Sequence, residues 1–292
     1  MGRFAVPEFE YSRYTNRQLL VVPLAVLAMA LAILGGWYLV TGSPVAVGVE
    51  LGGGTEMTVE TTSSEDEVAA AFDPAPSSVQ AVQAQENQYI VQFTSDDEDA
   101  LTDQAEANLE PVDDGSVVQQ ISSVSPAFAQ QAQRTALFGL AVAFVGMSVL
   151  AFLLFRTFVP SIAIVASAFS DLVIPLAFMN VIGIELTLGT VAALLLLIGY
   201  SVDSDILLNN HVLRRSGSFY ESVHRATRTG VTMTVTSMVA MLVMAISAYA
   251  LGIELLASVG IILFVGLAAD LMNTYLMNFT LLRWYKFEGV AR

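Results

Sequence analysis

The chain has 292 residues, 55% of them hydrophobic and 13% charged, with a formal net charge of −15. A soluble domain carries roughly a quarter charged residues, so a single large soluble core is excluded, and the acidic balance argues against a nucleic-acid partner. With no cysteine in the chain there is no disulfide framework and no thiol chemistry.

A hydrocarbon layer of ~30 Å needs ~20 apolar residues as helix. Six runs meet that length: 19–40, 135–155, 158–180, 186–208, 230–251 and 255–282. The first reads as a retained anchor rather than a signal peptide, because no clear small-residue cleavage site precedes Gly48. Of twelve Lys and Arg residues, eleven fall on one side of the six-span arrangement and only Arg134 on the other. The positive-inside rule then places both ends in the cytoplasm, residues 1–18 and 283–292, and residues 43–133 outside the cell membrane.

The inserted segment 43–133 holds 17 Asp and Glu and no Lys or Arg. Apolar alternation punctuates the acids, which favours a folded domain over a disordered tail. A solvated surface adapted to high salt accounts for the charge; a cation site or a basic partner is the sharper alternative. Met57 and Val59 alternate with Glu56, Thr58 and Glu60, as in a half-buried strand over 55–61. A helix over 64–72 follows, with Ser63 and Ser64 at its cap and acids in its first turn. Strands over 79–85 and 89–94, a second helix over 97–109 capped by Ser95, and a strand over 117–124 complete a βαββαβ order. That order is ferredoxin-like, so the expected fold is an α-helical six-span membrane protein with a small α+β domain between spans one and two. Gly52, Gly53, Gly54 and Thr55 read as a tight bend where the chain enters the sheet, and residues 125–133 lead back to the membrane.

Acids inside spans are expensive and mark functional candidates. Asp171 and Asp270 lie near mid-bilayer, with Asp203 and Asp205 nearer the cytoplasmic surface, and no Lys or Arg lies in a span to pair with them. Each either binds and releases protons or is a structural hydrogen-bonder to a neighbouring helix. Asp171, Asp203 and Asp270 are expected on inward helix faces. Thr232, Thr234, Thr236 and Ser237 either glue helices or line a polar path. His211 and His224 fall in the loop expected between spans four and five. No phosphate loop, HExxH or nucleophile elbow occurs, so neither an enzyme nor a cofactor is indicated.

Five segments carry a resemblance. They are Gly48–Thr55, Ser123–Pro126, Asp171 in span three, Val191–Leu194 with Ile198–Asp203 in span four, and Arg228–Thr234 at the start of span five. In order and topology they resemble the GxDFxGGT, SVGP, HD and TVAALLxxIGYS motifs of the SecD/SecF family of protein-export membrane proteins. The archaeal SecF branch matches best, and near-absence of lysine fits a haloarchaeal source. Gly199, Tyr200 and Ser201 form the GYS of that block. The resemblance implies a half unit of the RND superfamily and a role in late protein export. It also implies a SecD-like partner, the Sec translocon channel subunits, and an emerging polypeptide at the external domain, with proton-gradient coupling in bacterial forms. Gly52–Thr55 and Pro126 would then join the domain to the membrane as hinges. The chain departs from the bacterial pattern at Glu50, Ser125, Ser170, Ser204 and His211. The rival class is an RND-type ion-coupled exporter half unit for small molecules, which more often carries two such halves in one chain.

Overall fold

A computed structural model describes residues 13–82, 85–112, 115–214 and 219–287. Arg3, Asp113, Asp114, Arg215, Gly217 and Arg292 lie outside the described residues.

Among the described residues six helices are long and apolar enough to cross a membrane. α1 (Asn16–Thr41) starts at Thr15, whose side chain accepts from Gln18 N–H while Gln18 Oε1 accepts from Thr15 N–H. α2 (Val49–Gly52) is a single turn. The inserted domain then follows the expected order: β1 (Gly54–Glu60), α3 (Glu65–Ala70), β2 (Ser78–Ala81), β3 (Gln88–Phe93), α4 (Glu98–Asn108) and β4 (Val118–Val124). The sheet runs β2-β3-β1-β4 with every neighbouring pair antiparallel. Its period-2 pattern puts Met57, Val59, Val91 and Phe93 on one face, packed on Val68, Phe72, Leu101 and Ala105. Each such side chain contributes roughly 1.5–3 kcal/mol through burial.

Two local expectations change. Asp97, not Ser95, caps α4, its carboxylate accepting from Ala100 N–H; Ser95 Oγ instead accepts from Asp97 N–H. β2 runs over Ser78–Ala81, its ladder continued by Val82 N–H donating to Gln88 O at 2.8 Å, and residues 83–84 of the expected strand lie outside the described residues.

α5 (Pro126–Phe155) is continuous from the domain exit into the membrane. Ser125 Oγ accepts from Phe128 N–H and Pro126 occupies the first turn, where a missing N–H costs nothing. α6 (Phe158–Ile182), α7 (Leu188–Arg214), α8 (Phe219–Ala250) and α9 (Glu254–Met272) follow. After α9 comes a π-helical segment (Asn273–Asn278) and then α10 (Phe279–Phe287). His211 and His224 therefore sit on helices, α7 and α8, and not in a loop; both helices continue beyond their apolar runs into amphipathic turns that pack through Val212, Phe219 and Val223. α6, α7 and α9 form the buried centre, flanked by α1, α5 and α8. Close approach relies on small residues: a Cβ on Gly260 would meet Ala245 at 2.9 Å, and one on Gly266 would strike Leu197.

The inserted domain is stapled to the bundle through the turn between α6 and α7. Val47 bridges Leu186 in parallel, with Leu186 N–H donating to Ala46 O at 2.7 Å and Gly48 N–H to Leu186 O at 3.1 Å. Asn180 clamps the same strand, donating to Pro44 O at 2.8 Å and accepting from Ala46 N–H at 3.1 Å. Glu50 accepts from Leu188 N–H at 2.8 Å, so a carboxylate from the domain's entry turn caps α7. From the sheet, Gln92 Nε2 donates to Glu185 at 2.8 Å and to Glu56 at 3.1 Å.

Gly53 and Gly54 have φ of +82° and +111°, and Gly54 runs so close to β3 that a Cβ would collide with Phe93 O. These glycines form a packed joint. Gly54→Ala should destabilise the full chain by about 1–3 kcal/mol or more, read as a lowered melting temperature; an unchanged one would remove the steric reading.

Burial under the domain raises the Glu185 carboxyl above its ordinary value, Gln92 opposes this and Glu56 adds to it. Stability from this joint is thus full at pH below the ordinary carboxyl range and is lost as pH rises through the raised value. Glu185→Gln keeps an acceptor for Gln92 and removes the titration. Melting curves should show the variant matching the wild type in acid and exceeding it above the raised value; a constant difference at every pH would contradict this.

Candidate functional site

Three of the four intramembrane acids converge at the centre of the bundle. Asp171 on α6, Asp205 on α7 and Asp270 on α9 are each exposed by 1% or less. Asp203 is not with them: it lies on the exposed side of α7, which corrects its expected inward face. Two residues along a helix turn the side chain by about 200°, so Asp203 and Asp205 face opposite ways, and packing on α9 selects Asp205.

Each carboxylate is held by side chains from other helices. Asp171 accepts from Ser201 Oγ at 2.6 Å and from Asn273 Nδ2 at 2.6 Å. Asp270 accepts from Ser204 Oγ at 2.7 Å. Asp205 accepts from Asn278 Nδ2 at 2.7 Å and from Thr274 Oγ1 at 2.9 Å. Thr274 Oγ1 also lies 3.2 Å from Asp270 Oδ1, so one hydroxyl spans two carboxylates. Asn209 backs the cluster, donating to the Asp205 carbonyl at 2.8 Å.

Donors run short here. Thr274 has one hydroxyl hydrogen, and Asp205, Asp270 and Ser204 all lie within its reach. Ser204 likewise faces Asp270 and the Ser201 carbonyl with one hydrogen. Asp205 Oδ2 has no hydrogen-bond partner, and no Lys or Arg enters the cluster among the described residues. A proton on one of the carboxyl groups would supply the missing donor. The Thr274 hydroxyl links Asp205 to Asp270, while Asp171 is joined to α7 and to the π-helical segment through Ser201 and Asn273.

The π-helical segment makes this geometry. Phe279 N–H reaches Thr274 O, five residues back, which widens the helix locally. Asn273, Thr274 and Asn278 all lie in that segment and all bond to the acids. Such distortions inside α-helices occur frequently at functional sites. These three residues and Asn209 carry no motif in the sequence, and Ser204 stood out there only as a departure from the bacterial pattern. A signal existed: Asp270, Asn273, Thr274 and Asn278 recur at near-helical spacing in an otherwise apolar run.

The remaining motif residues divide. Ser201 faces the cluster, whereas Gly199 and Tyr200 lie on the exposed side of α7. Ser170 is fully buried beside Asp171, its Oγ without a hydrogen-bond partner. Thr55 is buried in the joint and donates to Ser95 O at 2.8 Å. Of the span-five hydroxyls only Thr234 is buried; Thr232 and Thr236 bond back to their own helix at Arg228 O and Thr232 O. No group of metal-ligating side chains gathers among the described residues.

Residues 104–288 match the family model described as protein export membrane protein SecD/SecF, C-terminal. The chain is 61% identical to the protein-export membrane protein SecF of Haloferax volcanii over 292 residues, covering all of both chains. It is 59% identical to that of Haloquadratum walsbyi over 298 residues, again covering both chains fully, and 36% identical to that of Pyrococcus furiosus over 94% of this chain and 93% of the relative. Among solved structures, SecDF from Thermus, described as a translocon-associated membrane protein, superposes with a TM-score of 0.74 at 18% identity over 96% of this chain. A second SecDF form gives 0.52 at 19% identity over 97%. The chain spans only 39% of the length of either SecDF chain, and at these identities the likeness speaks for the fold. By the family model and by full-length similarity to haloarchaeal relatives, the chain belongs to the SecD/SecF family of protein-export membrane proteins, on its SecF branch.

Proposed function

We propose that this chain is the SecF-type subunit of a SecD–SecF assembly that promotes protein export, with both termini cytoplasmic and the inserted domain outside. The observation that carries the reading is the cluster of Asp171, Asp205 and Asp270, drawn from three helices and lacking a cation among the described residues. In this reading the carboxylates without a cation belong to a device that takes up and releases protons, one of the roles that intramembrane acids fill. In this reading a change in protonation alters which donors Thr274, Asn273 and Asn278 satisfy, and so the packing of α6, α7 and the π-helical segment. The α6–α7 turn then carries the change to the inserted domain through Asn180, Leu186 and Glu50. A SecD-like subunit supplies the other half, the translocon channel is the neighbour, and the emerging polypeptide meets the inserted domain. Moving one charge through 100 mV is worth ~2.3 kcal/mol, enough to bias such a two-state arrangement.

Topology is tested directly, because the chain has no cysteine of its own. Asp97→Cys should react with a membrane-impermeant maleimide added outside intact cells, and Lys286→Cys only after lysis. Labelling of Lys286→Cys in intact cells would reverse the proposed orientation.

The mechanism is tested by Asp→Asn, which keeps size and removes titration. With its partner present, Asp171→Asn, Asp205→Asn and Asp270→Asn should assemble normally and each slow gradient-stimulated export by about 10²-fold or more, in the range of a lost proton-transfer group. Asp203→Asn should act far less. Wild-type rates in all three buried variants would make the cluster purely structural.

A further inference from the structure

Away from the carboxylate cluster, at the end of the bundle opposite the inserted domain, α7 and α8 enclose an open groove of about 820 Å³. His211 forms one wall, and Arg225, Arg228 and His224 on α8 form the other, with Thr232 and Met233 deeper along the same helix. The groove gathers two of only twelve basic residues in a chain of net charge −15. Its carboxylate neighbour, Glu221, is committed to Arg225 at 2.7 Å, an exposed pair worth little by itself. Arg228 makes no ion pair or side-chain hydrogen bond among the described residues, so its fork of five N–H donors is open to an anion.

The groove's depth identifies the kind of anion. From Arg228 to the far end of α8 at Ala250 the helix rises by roughly 33 Å, against a hydrocarbon layer of ~30 Å. From Leu188, the start of α7, to His211 the rise is about the same. Both walls therefore reach headgroup level at Arg228 and His211, while exposed Met233 and Val239 continue along α8 where acyl chains run. The hydroxyls of Thr229, Thr232 and Thr236 spend their hydrogens on backbone carbonyls of α8. The charged donors thus come from the arginines, which favours a headgroup of net negative charge over one whose phosphate is offset by its own ammonium.

We propose that this groove binds one phospholipid whose headgroup carries a net negative charge, its phosphate held by Arg228 as the principal contact and Arg225 as the second, while the ammonium of a zwitterionic headgroup would be repelled by the same pair. The site does not depend on the proton-coupling reading, since it needs only the depth of the two helices. At molar salt, which the acidic composition suits, the Debye length is ~3 Å. Diffuse attraction of acidic lipid is then screened, and only direct contact survives.

The test uses the full chain purified in mild detergent at molar salt and incubated with equal phosphatidylglycerol and phosphatidylcholine of the same acyl chains. Retained headgroups are counted by mass spectrometry. The wild type should hold about one phosphatidylglycerol in about tenfold preference, as one charge-assisted contact warrants. Arg228→Gln should lose that preference, Arg228→Lys should keep part of it, and Arg17→Gln, at the same membrane level, should keep all of it. If Arg228→Gln fails to fold, Arg225→Gln carries the same expectation with a smaller loss. Inorganic phosphate should not displace the lipid; full displacement would make this a free-anion site and overturn the lipid assignment. Equal retention of both lipids by the wild type would overturn it as well. So would an Arg228→Gln variant that keeps phosphatidylglycerol but no longer co-purifies with a SecD-like subunit, which would make the groove a protein interface.

Discussion

Three carboxyl groups are buried at the middle of an apolar bundle with no cation beside them among the described residues. Taking an acid out of water is costly unless it is hydrogen-bonded or neutral, so the surrounding helices must bring donors to it. That requirement explains why polar side chains on α6, α7 and α9 point inward at one level. The π-helical segment is where those donors sit: Asn273, Thr274 and Asn278 reach Asp171, Asp270 and Asp205 from it. The distortion and the acids depend on one another, and the small residues Gly260 and Gly266 let α9 approach closely enough to make the contacts.

The same two helices that carry Asp171 and Asp205 also hold the inserted domain. Asn180 lies nine residues beyond Asp171 on α6, a rise of about 14 Å, and clamps the strand leaving α1. α7 begins under the Glu50 carboxylate and reaches Ser201 and Asp205 further on. α6 carries Pro175 between Asp171 and Asn180, and both α6 and α7 end at the turn that holds residues 44–50. Gly53 and Gly54 are packed against Pro126, Ala129 and Phe93, which makes this joint a stiff one. The domain is thus held both at this glycine joint and on the α6–α7 turn.

Much was legible in the sequence because it is local physics. Run length sets the six spans, since the hydrocarbon layer dictates helix length whatever the neighbours are. Alternation in 56–60 sets a strand with Met57 and Val59 inward, since the pleat has period two. The strand and helix order of the inserted domain follows from such patterns and from turn and cap residues, as the Ser125–Pro126 start of α5 shows. Membership of the SecD/SecF family was readable from motif order alone.

What the tertiary structure decided was angular and long-range. Composition makes Asp203 and Asp205 equivalent acids in one span, and only the packing of α7 on α9 turns Asp205 inward and leaves Asp203 outside. His211 and His224 looked like loop residues because apolar runs end before their helices do; the amphipathic turns beyond are held by tertiary contacts such as Val212 and Phe219. The Thr274–Asp205 contact and the Asn180 clamp join residues 69 and 136 positions apart. No window of sequence contains both partners of such contacts. Periodicity states which face of a helix is polar, but where that face points is set by the helices packed against it.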